Sequence, residues 1–233
     1  MSIPFVDLST ILAVEMAACA MALIGLVMQI ATSAQPPALL QIVREPLKPG
    51  SEAAFNAIEE ERARISATLG CPHPYLGAES LTGRKEVWWF NGYHSSTERQ
   101  QVYDAYAKNA PLMAAFQKSA KPRADLTRKP IEVFASYRPD RSEGTPWLLG
   151  HGRYLVITMT TRTAQLAGTV FEGTDGIRFV VRSAETREEA EAAKVSTGQD
   201  TTVLAIRPSW SFPAAEWIAA DPEFWRASPA ARR

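Results

Sequence analysis

Five side chains have the types and spacing to build a small-molecule site: Arg62, Tyr75, Glu79, Trp89 and Tyr93. Arg62 interrupts an apolar stripe of Phe55, Ile58, Ile65 and Leu69 on a segment with helical periodicity. Long cationic side chains can reach water along their apolar stems, which is the plain reading of that arginine. An arginine turned inward instead needs a carboxylate, because an unpaired buried charge is costly. Glu79, central in a neighbouring predicted strand, is the expected partner. Neighbours on a strand alternate faces, so Tyr75, Gly77 and Glu79 share one face, as do Trp89, Asn91 and Tyr93. Gly77 leaves space on that face, and a cavity walled by aromatics is expected there, with Arg62 and Glu79 as its polar pair. The plainer reading of Trp88, Trp89, Phe90 and Tyr93 is core packing on both faces of a covered strand.

No catalytic residue can be assigned from spacing. The histidines are His73, His94 and His151, and no HExxH or HxxxH pattern joins them. Cys71-x-His73 is too tight for a standard zinc clamp. No Ser-His-Asp grouping or phosphate-binding glycine loop is present, and Gly168 to Gly173 lacks the lysine that a phosphate loop requires. No metal and no cofactor is therefore expected, and haem enters only as an alternative. Cys71 stands alone after the N-terminal segment and reads as a small buried hydrophobe.

The elements that must carry these residues are legible from residue 38 onward. A strand is predicted over Ala38 to Arg44, then a helix from Glu52 to Leu69 capped by Ser51 and closed by Gly70. Glu59, Glu60, Glu61 and Arg64 read as its solvated face. Strands follow over Tyr75 to Leu81 and Lys85 to Tyr93, joined by a glycine turn at Thr82-Gly83-Arg84. Ser95 with Glu98 makes a capping-box pattern opening a helix through Lys108, and a shorter helix carries Leu112, Met113 and Phe116. Ile131 to Tyr137 is a fourth strand. The order β-α-β-β-α-β is that of a ferredoxin-like split unit. After a polar stretch, His151 to Thr160, Ile177 to Arg182 and Thr202 to Arg207 are predicted strands, and Thr186 with Glu189 caps a short helix ending near Lys194. Val87 to Ser95 and Val203 to Ser211 match as strand-then-serine segments, which suggests a second, degenerate copy. Only Thr163 to Gly168 stands where that copy's first helix belongs.

The N-terminal segment reads as an address. Met16 to Ala34 carries no charge, and its most apolar part, Met16 to Met28, has the length of a signal-peptide core rather than a membrane span. Thr32 and Ala34 fit small-x-small cleavage after Ala34. Asp7 and Glu15 stand where a signal peptide has bases, and a start at Met16 or Met21 would remove both. An uncleaved N-terminal anchor and a helix of the fold are the alternatives. The expected organisation is a signal peptide or anchor over 1–34, a first unit over 36–137, a linker over 138–146 and a smaller second unit over 147–233. Location is expected to be periplasmic or extracellular, with a membrane reached only through an uncleaved segment.

Lys and Arg total 25 and Asp and Glu total 25, so no nucleic-acid footprint is expected. The segments REPLKPGSEAAF, CPHPYLGAESLTG and EVWWFNGYHSS resemble a group of uncharacterised bacterial proteins in the dimeric α/β-barrel superfamily. That superfamily includes antibiotic-biosynthesis monooxygenase-like, NIPSNAP-like and chlorite-dismutase-like proteins. The resemblance spans about residues 38–137 and extends loosely to Trp225. It implies two ferredoxin-like sheets packing into a barrel, within one chain or in a homodimer. The expected fold class is α+β, two ferredoxin-like units forming such a barrel, the second degenerate. The expected function is binding of a small aromatic or apolar ligand in an aromatic-lined pocket; the alternative is a cofactor-free monooxygenase-like or haem-linked enzyme.

Overall fold

The computed structural model describes residues 35–161, 167–195 and 200–232. The signal-peptide expectation and most of Thr163 to Gly168 lie outside the described residues. From Pro36 on the chain forms one unit. Its strands are β1 (Leu39–Pro46), β2 (Leu76–Ser80), β3 (Glu86–Tyr93), β4 (Ile131–Tyr137), β5 (Tyr154–Thr160), β6 (Thr169–Gly173), β7 (Arg178–Ala184) and β8 (Thr201–Ile206). They close into a single barrel in the order β1-β3-β2-β8-β5-β7-β6-β4. Every pairing is antiparallel.

This corrects the expected fold class. The molecule is one closed eight-stranded antiparallel barrel, not a pair of ferredoxin-like α/β sandwiches. The reason lies at the edges. β2 takes β8, from Ala78 opposite Ile206 to Ser80 opposite Leu204, and β4 takes β6, from Ala135 opposite Gly173 to Tyr137 opposite Phe171. Closure removes the unpaired backbone groups that two separate sheets would leave. Local periodicity carries no information about which edges will meet.

Strand β6 is absent from the sequence reading. Its short Thr-Val-Phe core ends at Gly173, and Asp175-Gly176, with Gly176 at φ +77°, turns the chain into β7. An Asp-Gly pair beside alternating apolar residues is the strongest short-range hairpin signal, and it was the one available to find this strand.

The barrel interior is core. Trp88 and Phe90 point inward and are fully buried, packing with Trp147, Phe171 and Phe179. Each such side chain contributes about 1.5–3 kcal/mol by leaving water. Trp217 and Trp225 pack against each other and join the same cluster. The alternation predicted for β3 holds, because Trp89 belongs to a separate cluster outside the barrel with Phe55 and Trp210.

The helices are α1 (Glu52–Leu69), α2 (Ser96–Lys108), α3 (Ala110–Ala124), α4 (Arg187–Val195), α5 (Ala215–Ala220) and α6 (Pro222–Trp225). α1 has the predicted bounds and ends at Gly70, which is left-handed at φ +69°. Ser51 does not cap it through its side chain; the hydroxyl donates to the carbonyls of Lys48 and Leu126 instead. The capping box at Thr186 forms as predicted, with Thr186 N–H donating to Glu189 Oε2 at 3.3 Å. At Ser95 the Glu98 carboxylate instead accepts from His94 N–H, one residue before the cap. Glu98 N–H donates to Ser95 Oγ at 3.1 Å, and Glu189 N–H to Thr186 Oγ1 at 3.2 Å. Asn109 is the joint between α2 and α3. Its Oδ1 caps α3 at Leu112 N–H, and its Nδ2 donates to the Leu69 and Gly70 carbonyls at the end of α1. One side chain thereby fixes α3 against α1 over the outer face of the barrel.

Candidate functional site

The outer face of β1 and β3 carries Val43 and Glu45 beside Trp89 and Asn91, with Val43 directly opposite Trp89 in the ladder. An open cavity of about 300 Å³ lies over this face, bordered by residues of α1, α2 and α3. Tyr75, Trp89, Tyr106 and Phe116 supply aromatic walls, and Val43 and Asn91 belong to the strand floor. The charged wall is Glu59 and Arg62 from α1 with Arg123 from the last turn of α3. A cavity of this size, mainly apolar with a few convergent polar groups, suits a ligand of one or two rings.

Arg123 organises the charged wall. Its Nη1 donates to Glu45 Oε1 at 2.8 Å, its Nη2 reaches Glu45 Oε2, and its Nε reaches Glu59 Oε1. Glu45 and Glu59 are almost fully buried, so both carboxylates depend on this guanidinium. Burial pushes the Glu59 carboxyl above the usual carboxylate range, and Arg123 and then Arg62 oppose that rise. Burial also works against the Arg123 charge, yet its two carboxylates more than compensate and hold the guanidinium above its ordinary value. The indole Nε1 of Trp89 donates to Glu45 Oε2 at 3.1 Å. Trp89 is thus held by its edge, and its side chain borders the cavity. Arg123 lies 5.2 Å over the Phe55 ring and 5.7 Å over Trp89, within cation–π range.

Arg62 is less completely paired. Its Nη1 donates to Ser119 Oγ at 2.9 Å and to the Phe116 carbonyl at 3.3 Å, and its guanidinium lies 4.2 Å over the Phe116 ring. Glu59 Oε2 is 3.7 Å from its Nε, an ion pair without a hydrogen bond. Burial therefore holds the Arg62 pKa below its usual value, with Glu59 only partly offsetting the effect.

The two tyrosine hydroxyls are already engaged. Tyr75 Oη pairs with Ser66 Oγ at 3.0 Å, and Tyr106 Oη lies 2.9 Å from Cys71 Sγ. Desolvation raises all three titrating groups, Tyr75, Tyr106 and Cys71, so phenols and thiol stay protonated.

Of the five residues predicted for the site, the structure gathers Arg62, Tyr75 and Trp89 and separates the other two. Glu79 does not pair with Arg62. It faces Lys85 at 3.8 Å and Arg207 at 3.9 Å, because its register opposite Val87 and Ala205 sets it at the β8 side of the face. Tyr93 stacks on His73 with ring centroids 4.8 Å apart and donates to Gln41 Oε1 at 3.1 Å. The space over Gly77 is filled as well: a Cβ there would lie 2.7 Å from the Trp89 ring and 3.3 Å from Trp210 Cβ. The cavity is displaced from Gly77 toward Val43 and Asn91.

Glu45, Glu59, Tyr106, Phe116 and Arg123 are site residues that sequence reasoning missed. Glu59 is buried, not on the solvated face predicted for it. The buried row of α1 runs Phe55, Glu59, Ala63, Ala67, at steps of four, and its small alanines were the available signal that a neighbouring helix packs there. No histidine lines the cavity. His73 is buried with Nε2 2.9 Å from the Gly92 carbonyl, His94 is exposed, and His151 is half-buried in the loop before β5. Among the described residues, no group of three or more His, Cys, Asp or Glu could hold a metal ion. Among them, too, no helix is long and apolar enough to cross a membrane.

No family model matches the chain, and no curated protein matches it. Two solved structures, each described as a "putative monooxygenase", are similar in shape. The one from Fusobacterium nucleatum subsp. nucleatum ATCC 25586 is 9% identical with a TM-score of 0.44, covering 74% of this chain and 93% of its own. The one from Lactobacillus acidophilus NCFM is 8% identical, also at 0.44, covering 74% and 94%. A likeness at that level carries no conclusion about activity.

Proposed function

We propose that this protein is an exported small-molecule-binding protein whose ligand, a small aromatic, occupies the cavity between the outer face of β1 and β3 and helices α1 and α3. The observation that carries the reading is the mounting of Trp89. Its indole N–H is committed to Glu45, its ring borders a cavity of about 300 Å³, and Phe116 stands in the opposing helix wall. A ring fixed at its edge is a preorganised stacking surface, and preorganisation lowers the ordering cost of binding. The barrel interior around β3 is filled by Trp88, Phe90 and Trp147.

Export rests on the uncharged run from Met16 to Ala34 and the small residues before Gln35. N-terminal sequencing of envelope-fraction protein should begin at Gln35, or at an intact start if the segment is an anchor; an intact start on cytoplasmic protein would contradict export. Binding is tested by calorimetric titration of the full-length chain with 2-naphthol. The wild type should bind it, and Val43→Phe, which places a ring in the same space, should not. Equal heats for the two proteins would contradict the assignment to this cavity.

A further inference from the structure

Most polar groups around the cavity are spoken for; Arg62, which donates only through Nη1, and Asn91 are the exceptions. Trp89 Nε1–H is given to Glu45, the Tyr75 hydroxyl pairs with Ser66 and the Tyr106 hydroxyl with Cys71. Arg123 is forked onto Glu45 and bonded to Glu59. Asn91 also lines the cavity, and its carboxamide forms no hydrogen bond with another described residue. A carboxamide offers two donors on nitrogen and an acceptor on oxygen, side by side. It therefore matches an edge that presents an adjacent donor and acceptor, as it does when a protein asparagine reads the edge of adenine. Asn91 and Trp89 stand two residues apart on one strand face, about 7 Å along the strand, so a ring stacked on Trp89 brings its edge to Asn91.

The charges around the cavity argue on the second property of the ligand. Arg62 and Arg123 are balanced by Glu59, which lines the cavity with them, and by Glu45, which holds Arg123 from strand β1. An anion entering the cavity meets attraction from two guanidiniums and repulsion from two carboxylates, and a cation meets the reverse. The Coulomb contributions largely cancel while the cost of stripping water from the ligand's charge remains. A neutral ligand bears no such cost.

Resting on the cavity reading above, we propose that the ligand is an uncharged planar aromatic with an amide- or lactam-type edge, and that Asn91 is the residue that selects it. The experiment is calorimetric titration of the full-length chain with four probes of one ring size. These are 2-quinolone, N-methyl-2-quinolone, quinoline-2-carboxylate and N-methylquinolinium. 2-Quinolone should bind about tenfold tighter than its N-methyl analogue, which lacks the donor, and at least about tenfold tighter than either ion. Asn91→Leu should bring 2-quinolone and its N-methyl analogue to the same Kd, and retained binding of the N-methyl probe by that variant shows that its cavity is intact. An ion bound as tightly as 2-quinolone by the wild type would overturn the charge argument. Unchanged discrimination in Asn91→Leu would overturn the role of Asn91. Both of those outcomes leave the cavity reading standing, whereas failure of all four probes to bind overturns that reading and this inference with it.

Discussion

Replacing Arg123 by glutamine removes the cation on which two buried carboxylates depend. Glu45 is 5% exposed and Glu59 3%, and Arg123 supplies hydrogen bonds to both. After the substitution Glu45 keeps only the Trp89 indole, and Glu59 keeps only Arg62 at 3.7 Å. An exposed ion pair would be worth about 0–1 kcal/mol, whereas removing one partner of a buried pair costs about 3–5 kcal/mol. The Arg123 side chain is 18% exposed, so some water reaches the site and the lower end, about 3 kcal/mol, applies. For a domain of this size that is a fall in Tm of about 6–12 °C. The loss also carries a pH signature. The Glu59 carboxyl is already raised by burial, and without Arg123 it rises further. A carboxyl whose folded-state pKa is raised contributes stability that is fully present in acid and lost as pH rises through that folded value. The Tm deficit of Arg123→Gln should therefore be largest at pH 8 and shrink toward pH 5, followed by circular dichroism melts of the full-length chain. A variant within about 2 °C of wild type at pH 8, or a deficit that grows on acidification, would refute the buried network.

Gly77→Ala drives a Cβ to 2.7 Å from the Trp89 ring and should cost about 1–3 kcal/mol in chemical denaturation, with reduced binding of the probe ligands because Trp89 must shift. Glu79→Ala should change stability by no more than about 0.5 kcal/mol, since Glu79 is half-buried and its two cations stand at 3.8 and 3.9 Å. Burial lowers the His73 pKa from 6.5, with Gly92 and Glu98 opposing and His94 adding to the fall, so the folded state favours the neutral ring. That contribution is present above pH 6.5 and is lost as pH falls through the lower folded value. His73→Phe, which keeps a ring against Tyr93, should accordingly lose less stability than wild type on acidification from pH 7 to 5; parallel slopes would contradict it.

What the sequence made legible was whatever depends on neighbours along the chain. The helix from Glu52 to Leu69, its glycine stop and the N-caps at Ser95 and Thr186 depend on local spacing, and each stands where that spacing puts it. The two-faced character of Trp88 and Trp89 follows from strand alternation alone. Barrel closure was not legible, because the β2–β8 and β4–β6 pairings join segments more than thirty residues apart with no local mark. The partner of Arg62 was missed for a related reason. Glu59 lies one helical turn away on α1 and reads as solvated until α3 is known to bring Arg123 over it. Arg123 itself sits after Pro122 near the end of α3, where propensity predicts a helix stop and gives no sign of a buried clamp. Arg62, Tyr75 and Trp89 were thus visible in the sequence, whereas Tyr106, Phe116 and the Glu45–Arg123–Glu59 frame were not.

A crystal structure of the full-length protein grown with 2-quinolone tests the central claim most directly. The account predicts a planar ring stacked on Trp89 and facing Phe116, its lactam edge on the Asn91 carboxamide, with the Arg123 pairs to Glu45 and Glu59 intact. A ligand found anywhere else on the molecule, with the space between Trp89 and Phe116 free of it, would contradict the account.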